Sequence, residues 1–181
     1  FKNGINKSKQ DFGFGYPFIN LMDVFGKPVI DDLDLELVNA NEKELAIYEL
    51  RKGDVLFIRS SVKRSGVGET SVVIKDLPKT VYSGFLIRFR DENIKLDLGF
   101  KKYCFANEKF RNDLVAVSST SANTNINQEN LADLALRIPS LPEQQKIATF
   151  LSTLDKKIET VGAEIAGLTE WKKGLLQQLF V

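Results

Sequence analysis

The chain has 181 residues, 43% of them hydrophobic and 27% charged, the balance of a folded domain rather than a disordered tail. Its 25 basic and 24 acidic residues leave a net charge of +1, and it contains no histidine. That absence excludes Ser-His-Asp and Cys-His catalysis, imidazole metal ligands and imidazole acid–base chemistry.

A chain of this length can bury roughly 70% of its unfolded surface, so one domain, with or without an appendage, needs no metal or disulfide to hold it. The single cysteine, Cys104, fits a reducing cytoplasm and reads as a small buried apolar group rather than a reactive thiol. There is no run of ~18 apolar residues and no charged-then-apolar leader, so neither a membrane span nor a signal peptide is expected. The first residue is Phe1 rather than Met, as in a fragment or a processed product.

In chain order, residues 16–25 (YPFINLMDVF), 54–60 (DVLFIRS), 70–75 (TSVVIK) and 84–90 (GFLIRFR) are short, β-branched or aromatic, and bounded by Gly, Pro or Asp. They are predicted strands. In the last, Phe85, Ile87 and Phe89 share one face while Leu86, Arg88 and Arg90 share the other, the pattern of a half-buried strand. Residues 98–117 space Phe100, Tyr103, Cys104, Phe110, Leu114 and Val117 at steps near 3.6, which predicts one helix packed on the sheet. Residues 118–130 (SSTSANTNINQEN) read as a polar loop.

From Ser140 the pattern becomes a heptad. Ser140-x-x-Glu143 reads as a capping box with Pro142 in the first turn. Ile147, Leu151, Leu154, Ile158, Val161, Ile165 and Leu168 follow in alternating steps of four and three, and Leu175 and Leu179 resume the series after Lys172. A helix over 143–180 would be about 57 Å long at ~1.5 Å per residue, too long to be covered by the preceding 140 residues alone. Gly162, Gly167 and Gly174, at roughly 1 kcal/mol each, and Lys172 in the seam weaken it in isolation. It is therefore expected to pair with another helix, antiparallel or in a multi-chain bundle.

The near-neutral total conceals a division. Residues 31–49 carry seven acids against Lys43, whereas residues 51–75 carry six bases against Asp54 and Glu69. Asp31, Asp32, Asp34 and Glu36 partly alternate with Leu33, Leu35 and Leu37, the polar side of an edge strand or turn, with a divalent-metal cluster as the alternative. Gly66-Val67-Gly68-Glu69-Thr70 is similar to the end of a phosphate-binding loop. Glu69 stands in the lysine position, however, and a strand rather than a helix follows, which argues against nucleotide. Gly13-Phe14-Gly15 lacks the third glycine of a dinucleotide turn, and Glu170 and Lys172 sit on the helix as a solvated face. The Asn/Asp-Pro-Pro-aromatic tetrapeptide of amino methyltransferases is absent.

What remains is a basic, hydroxyl-rich loop, Ser60, Ser61, Lys63, Arg64 and Ser65, with Gly66 and Gly68 permitting close backbone approach. Lysine and arginine neutralise phosphates, and arginine also pairs bidentately with guanine. An ordinary exposed hairpin tip would have the same composition. Asn123, Asn125, Asn127 and Gln128 carry amides that can read adenine, or simply solvate a connector.

The whole series of features resembles one half of the specificity (S) subunit of a type I restriction-modification system. The residues carrying the resemblance are Phe1-Lys2-Asn3-Gly4, Tyr16 to Val24, Gly53 to Phe57 with Arg59-Ser60-Ser61, and Ser83 to Arg90. Most specific are Asn125 to Leu131 and Ile138 to Ala148 (IPSLPEQQKIA), leading into the long helix. The resemblance implies an α+β fold: a β-rich target recognition domain with packed helices over 1–140, followed by a long coiled-coil helix over 141–181.

It implies a non-catalytic cytoplasmic subunit that recognises half of a bipartite double-stranded DNA target. Its partners would be methylation and restriction subunits, which would carry S-adenosylmethionine, ATP and magnesium, while this chain carries no cofactor. A full S subunit has two such domains and two antiparallel helices, so a homodimer or a second half-unit through the long helix is expected. Ser60, Ser61, Lys63, Arg64, Asn123 and Asn125 are the candidate DNA contacts, chosen on charge and loop position. The competing classes are a protein-interaction module working through its helix without DNA, and, more weakly, a carboxylate-dependent enzyme using the 31–36 acids.

Overall fold

A computed structural model describes residues 1–31, 34–92, 95–120 and 122–180. Strand β1 (Lys2–Asn3) is followed by β2 (Phe12–Ile19), helix α1 (Leu21–Val24), β3 (Val29–Ile30), β4 (Glu36–Val38) and α2 (Glu42–Tyr48). Then come β5 (Val55–Ile58), β6 (Ser60–Ser61), β7 (Thr70–Val73), β8 (Val81–Tyr82) and β9 (Leu86–Phe89). The remainder is α3 (Leu98–Cys104), α4 (Glu108–Val117), β10 (Ser119–Thr120), β11 (Thr124–Asn125), α5 (Gln128–Ala132) and α6 (Leu141–Leu179). This is the expected mixture of sheets and helices ending in one long helix. No helix among the described residues is long and apolar enough to cross a membrane.

The central sheet has five strands in the order β1-β9-β5-β7-β3. β5 is its axis: Val55, Leu56, Phe57 and Ile58 are all fully buried, and alternate residues serve different cores because side chains alternate across a strand. Val55 and Phe57 join Ile87, Phe100, Phe105, Phe110 and Leu114 on the helical side. Leu56 and Ile58 join Ile19, Ile30, Val73, Tyr82 and Leu86 on the other. Phe105 is the hub of the helical side, with ring centroids 5.0 Å from Phe57, 5.6 Å from Phe89 and 5.5 Å from Phe110. A smaller sheet, β4-β2-β8, closes a third core around Phe18, Val38 and Val81.

Several sequence expectations need correction. The predicted strand over 16–25 stops at Ile19, because Asn20 caps a helical turn: its side chain accepts from Leu21 N–H while its own N–H donates to Asp23. The strand around 84–90 is not half-buried, since Leu86 and Ile87 are both fully enclosed and Phe85 lies outside it at 57% exposure. The helix over 98–117 is two helices. Asn107 interrupts it by accepting from Phe110 N–H, which starts α4 afresh. The apolar steps run across that break because both helices pack on the same sheet face. Residues 118–130 are not one loop but a hairpin and a short helix, α5, whose cap is the Asn127 side chain accepting from Asn130 N–H.

Cys104 is buried, and desolvation pushes its thiol up to about 12. Among the described residues two charged groups, Asp54 and Lys101, are also buried, and each is paired. Asp54 takes both Nε and Nη2 of Arg90 at 2.7 and 2.6 Å, and the Lys101 ammonium donates to Gly53 O and Asp91.

α6 begins at Ser140 as expected, but Ser140 makes no side-chain capping bond, so the capping box is not formed. The helix is anchored instead one turn on. Gln144, only 1% exposed, accepts from Asp97 N–H at 2.8 Å and donates to Pro139 O at 3.0 Å and Lys95 O at 3.4 Å. Ala148 packs on Gly99, and Asp155 receives Lys102 Nζ at 2.6 Å and Tyr103 Oη at 2.8 Å. These contacts hold the Asp155 carboxyl below the usual carboxylate range, the Lys102 bond being the largest cause. Beyond Asp155 the helix stands clear of the sheets: Ile158, Ile165 and Leu168 are 70%, 60% and 62% exposed.

Removing the Gln144 amide takes the partner from the partly buried N–H of Asp97, at a cost of about 1–3 kcal/mol. Gln144→Ala is expected to lower stability by about 2 kcal/mol in urea denaturation, while Gln145→Ala, one exposed position along, leaves the midpoint unchanged.

Candidate nucleic-acid interface

The chain turns out of β5 at Arg59 and immediately forms β6, which joins a separate three-stranded sheet in the order β10-β11-β6. Ser61 lies opposite Thr124 and Ser60 opposite Asn125, and Ile126 N–H donates to Arg59 O at 3.0 Å. The basic loop and the Asn/Ser/Thr segment, remote in sequence, are thereby laced side by side. The expected loop at 60–65 is thus a short strand followed by a tight turn.

That turn presents its charge outward. Lys63 precedes a single 3-10 turn, Arg64–Gly66, closed by Gly66 N–H on Lys63 O at 2.9 Å, and Gly68 N–H returns to Ile58 O at 2.7 Å. Lys63 and Arg64 are exposed, and among the described residues neither lies in an ion pair. Val62 between them and the strand is 84% exposed. The two glycines serve the protein's own packing rather than approach by a ligand. A Cβ on Gly66 would meet the Ser61 hydroxyl and the Phe25 ring; one on Gly68, whose φ is +68°, would meet Leu114 and Arg111.

The candidate residues divide by accessibility. Lys63, Arg64 and Asn123 are exposed, Ser60 and Asn125 are half-buried, and Ser61 is 9% exposed with its hydroxyl turned toward Gly66. Asn125 Nδ2 donates to Asn123 O at 2.9 Å, which ties the hairpin tip to its own strand. Asn127 is committed to capping α5. Of the acidic group, Asp31, Asp34 and Glu36 are described while Asp32 and Leu33 lie outside the described residues. Among the described residues no three acidic or thiol groups gather as a metal site.

Three further contributors were not among the site residues expected from the sequence. Arg111, on α4, donates Nη2 to Ser65 O at 2.7 Å and so fastens the basic turn to the helical layer. Burial lowers the proton affinity of its guanidinium, against the opposing field of Glu69, and among the described residues its Nη1 has no hydrogen-bond partner. Nothing in the helical pattern distinguishes it from a solvated arginine. Arg59 donates Nη1 to Gly84 O at 3.2 Å and its N–H to Phe85 O at 2.8 Å, which brings the exposed Phe85 turn up beside β6. Phe25, 39% exposed, lies against Gly66. The surroundings of β6 and its turn therefore combine exposed cations, amides and apolar side chains. These are the groups that neutralise phosphates, read base edges and touch thymine methyls.

The family model of the type I restriction modification DNA specificity domain matches residues 2–170. A protein of Methanocaldococcus jannaschii named for the type I restriction enzyme MjaX specificity subunit is 28% identical over 99% of this chain and 42% of its own length. The type I restriction enzyme EcoKI specificity subunit of Escherichia coli is 24% identical over 93% of this chain and 38% of its own. The chain thus spans about two fifths of the curated relatives it matches.

Two solved structures share the fold. One, from a study of complex assembly and conformational transition in the type I R-M system, superposes with a TM-score of 0.59 at 18% identity, over 87% of this chain and 36% of that one. The other is the type I restriction-modification S subunit from M. genitalium, with a TM-score of 0.52 at 16% identity, over 90% of this chain and 38% of that one.

If Arg111 fastens the basic turn, Arg111→Ala frees it locally. Amide exchange at Gly66 and Gly68 is expected to quicken about tenfold, a local loss of ~1.4 kcal/mol, while the β5 amides keep their protection.

Proposed function

The chain belongs to the type I restriction modification DNA specificity domain family, and we propose that it recognises one half of a split double-stranded DNA sequence. The observation that carries this reading is the register of Ser60–Ser61 with Thr124–Asn125, which sets the Lys63–Arg64 turn beside the Asn123 hairpin tip on one face. Lys63 and Arg64 contact phosphate or guanine, Asn123 and Asn125 read base edges, and Ser60 and Ser61 support them from the strand. Residues 1–140 act as the recognition domain and 141–181 as spacer and dimerisation helix. The chain performs no chemistry of its own. It directs a methylation subunit carrying S-adenosylmethionine, and a restriction subunit using ATP and magnesium, to a bipartite site.

Selection from a random duplex library at low salt, repeated at higher salt, is expected to enrich one short sequence. Lys63→Ala with Arg64→Ala should weaken binding at least tenfold and flatten the salt dependence by about 0.9 in slope for each phosphate no longer neutralised. Unchanged affinity and slope would remove this turn from the interface.

The exposed stripe of α6 supports pairing of two such chains. Inverted end to end, the stripe matches itself: Ile147 meets Leu179, Leu151 meets Leu175, Leu154 meets Lys172, Ile158 meets Leu168 and Val161 meets Ile165, about a centre at Ala163. Every layer sets an a position against a d position, the arrangement two antiparallel strands of a coiled coil require. A two-fold pair of this kind carries two identical recognition domains at opposite ends and reads an inverted repeat with a fixed gap. Light scattering at micromolar concentration is expected to give a dimer, and Ile158→Asp, at a 70% exposed position, to give a folded monomer.

A further inference from the structure

Between the first turns of α6 and helices α3 and α4 lies an open groove of about 770 Å³. Phe100, Tyr103, Phe110, Leu136, Ile147 and Leu151 line it, with Lys109 and Arg137 at its edge. No described residue of the chain fills it, and it does not belong to the nucleic-acid face. Two of its lining residues, Ile147 and Leu151, are also the first two members of the heptad stripe.

We propose that this groove receives the last turn of α6 from a second copy of the chain, through Leu176, Leu179 and Phe180. The inference rests on the antiparallel pairing proposed above and adds a contact between each helix end and the partner's recognition domain.

Three observations select this occupant. The inverted register brings Leu179 and Leu175 of the second copy onto Ile147 and Leu151, at the groove's own wall. Ala148, Asp155 and Leu176 occupy the same heptad position, and in an antiparallel pair like flanks adjoin. Ala148 and Asp155 of this copy face α3, so Leu176 of the second copy turns toward the same helix, with Phe180 one turn on along that flank. Leu176, Leu179 and Phe180 are otherwise stranded in water, at 49%, 72% and 82% exposure.

Charge agrees as well. The end of a helix carries unsatisfied carbonyls and a partial negative charge of roughly half an electron, and the edge of the groove offers the cations of Arg137 and Lys109, the latter also bonded to Asp113. The chain cannot fill its own groove, because Phe180 lies about 50 Å along the helix from Ile147 at ~1.5 Å per residue.

The test places p-benzoylphenylalanine at position 180 of the full chain, mixes labelled with unlabelled protein, irradiates, and maps cross-links by mass spectrometry beside light scattering. The expected result is mixed-isotope dimers cross-linked within 100–110 or 134–137. Phe180→Asp should then weaken dimerisation at least tenfold without lowering the melting temperature of the recognition domain. A dimer whose cross-links fall only on α6 near residues 141–147, or that forms none, overturns the groove contact and leaves the antiparallel pair standing. Cross-links joining the two C-terminal turns, or a monomer throughout, overturn both.

Discussion

Gln144 accepts Asp97 N–H at its carbonyl and donates its amide to Pro139 O and Lys95 O, at a site from which water is excluded. A buried amide with three fixed partners has one orientation, and it lies in the first turn of a helix of 39 residues. The helix is therefore aimed by that amide, by the close packing of Ala148 on Gly99, and by the Asp155 clamp on Lys102 and Tyr103. A lever about 58 Å long multiplies any tilt at its root, and a tilt of about 10° would move the far end by on the order of 10 Å. Whatever the helix separates is spaced only as accurately as this seat is made. A fully bonded polar group specifies geometry here better than an apolar contact, which slides.

The candidate recognition face depends on a comparable device. β5 is buried on both sides and cannot move without opening two cores at once. Its continuation through Arg59 into β6 carries that rigidity out to the surface, where β11 borrows it by pairing with two residues. The exposed turn then needs only its own two backbone bonds and the Arg111 anchor. Such a scaffold tolerates changes in Lys63, Arg64 or the Asn123 tip, because none of them supports the core.

The parts legible in the sequence are those with a dense local signal. β-Branched runs over 54–60 and 70–75 become β5 and β7, and the heptad from Ile147 becomes α6, because in each the burial pattern repeats often enough to be read. The interruption at Asn107 was hidden because α3 and α4 resume the same apolar phase on the same sheet face. The hairpin at 119–125 was hidden because its strands are two residues long and polar, and its edge partner is Ser60–Ser61, more than sixty positions away. Ser140 and Glu143 have the right spacing for a capping box, yet the helix start is fixed by tertiary bonds to Gln144 that no local motif encodes. In the candidate interface, Lys63 and Arg64 were legible from charge. The role of Arg111 depends on a carbonyl, Ser65 O, supplied by another element.

The composition of the helix becomes intelligible when pairing and groove are considered together. Taken alone the stripe is a poor coiled coil, with Lys172 set against Leu154 in one layer and three glycines lowering helix propensity. Sliding the proposed antiparallel pair by one heptad in either direction strips partners from two stripe residues at one end of each helix, Ile147 and Leu151 or Leu175 and Leu179. Burying such a side chain is worth about 1.5–3 kcal/mol, so the slip is penalised at both ends of the pair. The same slip withdraws Leu176 and Phe180 from the groove. In the proposed pair, register is thus chosen at the ends, where the helix meets folded sheet and helix, rather than along a weak middle, and the distance between the two copies' sheet domains becomes a property of the seats at Gln144 and the grooves beside them.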